Sequence, residues 1–114
     1  MKHLLFSFAF TVFIAISLKA QTFVSNQFTL TNLSTNKITH TVEKTSIIIK
    51  QKTISISYRE GNMVFDILKK TVNKTEVTYY CNNNTKIISN PSFHTITVIM
   101  DKHKVEYAIS STKG

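Results

Sequence analysis

The chain contains no tryptophan, one cysteine, one proline and two glycines. Each scarcity removes a class of answer. With Cys81 alone, no intrachain disulfide can staple the fold and no thiolate cluster can hold a metal. Gly61 and Gly114 are too few for a glycine-rich phosphate loop or a nucleophile elbow. Arginine occurs only as Arg59, and lysine is the weaker residue for bidentate reading of phosphates or bases. Nucleic acid is therefore a poor candidate partner, the more so because the aromatics fall mostly on core-facing positions. The acidic residues Glu43, Glu60, Asp66, Glu76, Asp101 and Glu106 are scattered, with no spacing that gathers a catalytic pair of carboxylates. His40, His94 and His103 lack the close spacing that sets two ligands on one side of a strand or helix. No catalytic set, cofactor or metal is expected.

A long apolar run occurs in one place. After Met1-Lys2-His3, the segment Leu4–Leu18 has only Ser7, Thr11 and Ser17 as polar residues, and Lys19-Ala20-Gln21 closes it. A membrane-spanning helix needs about 20 apolar residues. The shorter run reads as a secretory signal helix over residues 1–20, cut after Ala20, with an uncleaved anchor as the alternative. Leu18, third before the cut, is less favoured there than alanine. No cysteine ends the run, so a lipidated N-terminus is not expected. The remainder, residues 21–114, reads as a single β domain in the periplasm, at the cell surface or secreted. Removing Lys2 and Lys19 from the 14 basic residues leaves 12 against 6 acidic ones, and the net charge falls from +8 to +6. A domain so charged is biased toward anionic partners.

What remains is rich in threonine, isoleucine, valine, tyrosine and phenylalanine, which suit a pleated surface. Asparagine takes the turn role, because it tolerates left-handed backbone and bonds to its own main chain. Asn36, Asn62, Asn73, Asn82-Asn83-Asn84 and Asn90-Pro91 punctuate the sequence. The stretch IIIKQKTISISY, Ile47 to Tyr58, indicates how strands connect. Paired positions in a two-residue hairpin have an odd sum, so an apolar face of odd residues continues on even ones. A turn at Gln51-Lys52 sets Ile49 opposite Ile54 and Ile47 opposite Ile56, with Ile48 on the other face. A turn at Gly61-Asn62 sets Tyr58 opposite Phe65 and Ile56 opposite Ile67. A turn at Lys102-His103 sets Met100 opposite Val105, Val98 opposite Tyr107 and Ile96 opposite Ile109. Gln-Lys and Lys-His suit primed turns poorly, so longer loops or bulges are the alternative there.

Further strands are expected over Phe28–Leu33, Lys37–Glu43, Thr75–Cys81 and Thr85–Ser89. Val77, Tyr79 and Cys81 share a face. Cys81 reads as a small buried hydrophobe, with an intermolecular disulfide or reactive thiol as the alternative. His94, in phase with Ile96 and Val98, is expected to be half-buried. Residues 21–27 and 110–114 are expected to fray. A helix over Asn62–Val72 is the rival local reading, since Val64, Ile67, Leu68 and Val72 recur near a helical period. The expected fold class is all-β: an antiparallel up-and-down meander of about eight or nine short strands, as a curled sheet, small barrel or sandwich.

Tracing that meander brings the turns near Gln51 and Asn73 to one end of the sheet. Lys50, Lys52, Lys69, Lys70 and Lys74 gather there as a candidate anion-binding rim, suited to an acidic glycan, a phosphorylated envelope polymer or an acidic protein. Solubility and protection of a sheet edge explain the same lysines. The triplets at Asn32, Asn73 and Asn83 match an N-glycosylation acceptor, which matters only in a eukaryotic secretory pathway. The signal ending LKAQ, the Lys/Asn/Ile bias and the spaced strands from YYCNNNTKIIS to ITVIMDKHKVEYAI resemble small exported, uncharacterised β-rich proteins of Bacteroidota-type bacteria. The resemblance implies a periplasmic or surface location and no functional residue. The expected function is an exported, non-enzymatic binding or structural module of the cell envelope. A lipocalin-like carrier of a small ligand and a small hydrolase are the alternatives.

Overall fold

Eight antiparallel strands follow one another around a closed barrel in the computed structural model, which describes residues 20–113. The expected signal helix lies outside the described residues. No helix among those described is long and apolar enough to cross a membrane. The strands are β1 (Gln21–Asn32), β2 (Ile38–Ile49), β3 (Thr53–Tyr58), β4 (Gly61–Asn73), β5 (Glu76–Cys81), β6 (Thr85–Asn90), β7 (Thr95–Ile99) and β8 (His103–Lys113). A single 3-10 turn, Pro91–Phe93, joins β6 to β7. Each strand pairs with its sequence neighbours, and β8 returns to β1. The meander reading holds. Asn62–Val72 forms part of strand β4, so the helical alternative is corrected.

The isoleucine parity switch is the β2–β3 hairpin. Ile49 pairs with Ile54 and Ile47 with Ile56, and all four are buried while Ile48 is only half-buried. The Lys50 N–H donates to the Thr53 carbonyl at 2.8 Å, which closes a two-residue turn at Gln51-Lys52. These isoleucines join Phe65, Tyr79, Cys81, Ile87, Ile96, Val98, Val105 and Tyr107 in one core.

The other two hairpins keep the expected faces and change the expected partners. Tyr58 pairs with Gly61, so the turn is Arg59-Glu60, and Phe65 lies opposite Ile54 while Met63 lies opposite Ile56. Gly61 has no positive φ, so it does not supply the left-handed backbone for which a Gly-Asn turn is favoured. It lies instead beside the Tyr58 ring, whose Cε2 would be 3.5 Å from an added Cβ. Asn62 accepts a hydrogen bond from the Ser57 hydroxyl across the strands at 3.2 Å. Likewise the turn after β7 is Asp101-Lys102: the Met100 N–H donates to His103 at 2.8 Å, and Val98 faces Val105 while Ile96 faces Tyr107. Both registers differ from the expected ones by an even number of residues. Every apolar side chain therefore stays on its face, since only an odd slip inverts a strand.

Several strands are longer than expected, because bulges carry them through breaks in alternation. In β1 the core phase runs Phe23, Ser25 and then Phe28, Leu30, with a register shift between Ser25 and Gln27. Residues 21–27 do not fray: they pair with β2 on one side and β8 on the other. At the other end β8 extends through Lys113, pairing with Thr22, so that segment is also held. Lys37–Glu43 is not a separate strand but continues into Ile47–Ile49 as β2. In β4 a bulge at Leu68 lets Ile67 pair with Cys81 and Lys69 with Tyr80. The sequence phase switches at each bulge, as it does at a hairpin.

Asparagine supplies some of the turns. Asn36, Asn83 and Asn84 have φ of 60°, 58° and 54°. Asn83-Asn84 fills both central positions of the β5–β6 turn, the pattern of a type I′ turn. Lys74 and His94 adopt the same backbone region, with φ of 53° and 52°.

Candidate functional site

The anion-rim residues sit on two neighbouring structures at the same end of the barrel. Lys50 precedes the β2–β3 turn, Lys52 lies in it, and both are exposed. That turn is docked on β4, where the Ile67 N–H donates to the Lys52 carbonyl at 2.8 Å. Beyond this contact β3 has ended. From Lys69 to Asn73, β4 pairs with β5 alone and forms the outer part of a hairpin. Lys69 and Lys70 stand on this part, and Lys74 occupies its tip turn between Asn73 and Glu76.

The Leu68 bulge determines where these lysines point. Lys69 pairs with Tyr80, which is exposed, whereas Lys70 pairs with Tyr79, whose ring belongs to the core. Consecutive strand residues face opposite ways, so the two ammonium groups leave opposite faces of the hairpin. Each lies over an aromatic ring, Lys69 Nζ at 5.9 Å from the centre of Tyr80 and Lys70 Nζ at 5.9 Å from that of Tyr79. Such contacts at exposed sites contribute about 0.5–1 kcal/mol and restrict where the charge sits. Among the described residues the ion pair is Lys104–Glu106 at 3.1 Å, and none of the five candidate lysines has one. The lysines therefore form a two-sided basic hairpin above a basic turn rather than a flat rim.

A second polar grouping escaped sequence reasoning. On the inner side of the barrel, Ser25 and Thr45 pair and are fully buried. The Ser25 hydroxyl donates to the Gln27 carbonyl at 2.7 Å, while Thr45 Oγ1 finds no partner among the described residues. Tyr107 is 3% exposed, with its ring 5.5 Å from that of Phe28. Burial, then the neighbouring Tyr58 phenol and the Glu43 carboxylate, push its phenol up to about 12. Phase could have placed Tyr107 inside. Only the closure of β8 on β1, whose other neighbour is β2, brings Glu43 to it.

The histidines do not converge. His40 is exposed on β2, with Nδ1 3.0 Å from the Thr29 hydroxyl, and His103 begins β8 opposite Asn32. His94 corrects the expectation of a half-buried residue. It is exposed in left-handed backbone at the end of the 3-10 turn, which breaks the strand phase before Thr95. Among the described residues no group of three or more His, Cys, Asp or Glu side chains could hold a metal.

Cys81 is buried, as a small core hydrophobe would be, and its thiol donates to the Tyr79 carbonyl at 3.8 Å. Burial, and then the Asp66 carboxylate, push its thiol up. The thiolate is the reactive form. We therefore expect a disulfide reagent to label the folded protein roughly tenfold more slowly, or slower still, than the denatured chain at the same pH. Equal rates would mean that the thiol is accessible in the folded state.

No model of a known protein family matches the chain, and comparison with curated proteins gives no match.

Proposed function

We propose that the protein is an exported, non-enzymatic binding or structural module of the cell envelope, meeting an anionic partner through its basic turn and hairpin. The observation that carries this reading is the placement of Lys69 and Lys70 on a part of β4 that has outgrown β3. There the two charges rest over tyrosine rings and have no carboxylate partner among the described residues. Charges held in place and not neutralised within the fold suit an acidic glycan, a phosphorylated envelope polymer or an acidic protein surface. Export rests on the apolar Leu4–Leu18 run and the Lys19-Ala20-Gln21 boundary.

The carrier alternative has barrel closure in its favour, because eight-stranded barrels are just wide enough to hold one small ligand. The packing supports a filled interior instead. Ile47, Ile54, Ile56, Ile87, Ile96 and Val98 are 0–1% exposed and occupy the middle of the barrel.

Retention on an immobilised polyanion tests the proposal. The protein should elute at a salt concentration that falls when Lys69, Lys70 and Lys74 are changed to glutamine. At about 0.5 kcal/mol for each exposed charge contact, the triple variant should bind about tenfold more weakly. An unchanged elution position, with the melting transition also unchanged, would remove the hairpin from the reading.

A further inference from the structure

The strand β2 has a neighbour on both sides for only part of its length. Its last pair with β3 is Ser46–Ser57, because β3 stops at Tyr58. From Ile38 to Val42 it pairs with β1 alone, and no other described strand reaches its far edge. An open groove of about 490 Å³ marks the point of departure, lined on one side by Val42, Lys44 and Ser46 and on the other by Ser57 and Arg59. Beyond it the apolar side chains face solvent: Val42 is 87% exposed and Ile38 is 59% exposed. An unpaired edge of this kind accepts another strand, and natural sheets commonly protect such edges with charge, proline or a covering segment. The five residues Ile38–Val42 contain no lysine and no proline.

We infer that this edge pairs with the same edge of a second copy of the chain, antiparallel about a two-fold axis through His40. The sequence of the edge selects both the occupant and the register. About that axis Ile38 lies opposite Val42, Thr39 opposite Thr41, and Lys37 opposite Glu43, each pair occurring twice, with His40 facing its own copy. Ile38, His40 and Val42 lie on one face of the strand, so the exposed apolar side chains meet each other across the interface. The terminal charges meet as opposites. Moving the axis one residue to Thr41 sets Ile38 against Lys44 and His40 against Val42. Moving it to Thr39 sets Ile38 against His40 and Val42 against Asn36. Only the His40 axis matches apolar with apolar and acid with base. A two-fold contact uses one patch on both subunits and closes at two copies. The patch is small, so the dimer belongs to the weak class.

Sedimentation velocity over a range of concentrations, in reductant and on the protein as processed by an expressing cell, tests the inference. A reversible monomer–dimer equilibrium is expected. Val42→Lys should weaken it by about tenfold or more, and the exposure of the residue leaves the fold unaffected, as a melting curve will verify. Lys37→Glu should weaken the dimer several-fold by placing like charges opposite each other, and adding Glu43→Lys in the same chain should restore it. Lys69→Gln, Lys70→Gln and Lys74→Gln should leave it unchanged, so failure of the anion-binding reading and failure of this one are distinguishable. A monomer at every concentration, or a dimer indifferent to Val42→Lys and to Lys37→Glu, overturns the proposal. Species that grow beyond two copies overturn it too, since they would require the β2 edge of one copy to pair with a different edge of the next.

Discussion

Ile56→Ala should destabilise the protein by about 3–4 kcal/mol in chemical denaturation, whereas Ile48→Ala should cost about 1 kcal/mol or less. The two residues are of one type on adjacent strands, and the difference between them is the parity of the β2–β3 hairpin. Ile56 is fully buried opposite Ile47, and its loss leaves a cavity among side chains that barely relax. Ile48 pairs with Ser55 on the outer face, where truncation leaves a surface that water can refill. Against a total stability of about 5–15 kcal/mol, the first change is a large share. With no disulfide to hold the chain, such a variant should also lose a well-defined melting transition sooner than a stapled domain of equal size. Equal losses at both positions would mean that the two faces are not distinguished as described. The register of the next hairpin can be read in the same experiment: Phe65→Ala should couple energetically to Ile54→Ala, its cross-strand partner, and not to Tyr58→Ala.

Alkaline unfolding should trace mainly to Tyr107. Its phenol is raised from the usual 10.0 to about 12 in the folded protein, so the folded state resists losing that proton while the unfolded chain gives it up readily. The stabilisation is complete below about 10 and is lost as pH climbs through about 12, the reverse of the acid lability that paired carboxylates confer. Two pH units at about 1.4 kcal/mol each amount to about 3 kcal/mol. Tyr79 is pushed in the same direction by burial and adds to the effect. Denaturation curves at about pH 9 and about pH 12 should show most of this loss, about 2 kcal/mol, in the native sequence and a markedly smaller one in Tyr107→Phe. An equal loss in both would place the alkaline sensitivity elsewhere.

The fold was legible wherever a change of phase coincided with a turn. The four isoleucines of β2 and β3 declare their partners because only two residues separate the runs. Phase alone, however, is blind to even slips, and so it gives Phe65 and Val105 the right face and the wrong partner. Turn chemistry had to choose, and the choice was not visible in residue preference. Gly61 reads as a turn glycine yet has extended backbone beside a tyrosine ring. Lys74 adopts left-handed backbone that its residue type disfavours, and His94 adopts it where its phase with Ile96 and Val98 suggested a strand.

Bulges explain the rest. At Asn26 and Leu68 the alternation breaks inside a strand, so β1 looked shorter than it is and β4 acquired a helix-like spacing. The candidate lysines were locatable to one end from the meander alone. That Lys69 and Lys70 face opposite ways required the bulge and the pairing with β5. The open edge of β2 was likewise hidden, because it depends on β3 ending early relative to two long neighbours.

The pairing of β1 with β8 has a consequence for how the chain is made. Thr22 meets Lys113, so the first of the eight strands to be synthesised has its second neighbour in the last of the eight. All eight strands can zip to their sequence neighbours by local contacts as they appear, but the seam between β1 and β8 needs segments far apart in sequence to meet, the slow kind of contact. Until then β1 and β8 are both temporary rims, and a chain lacking β8 would leave a ring that never shuts.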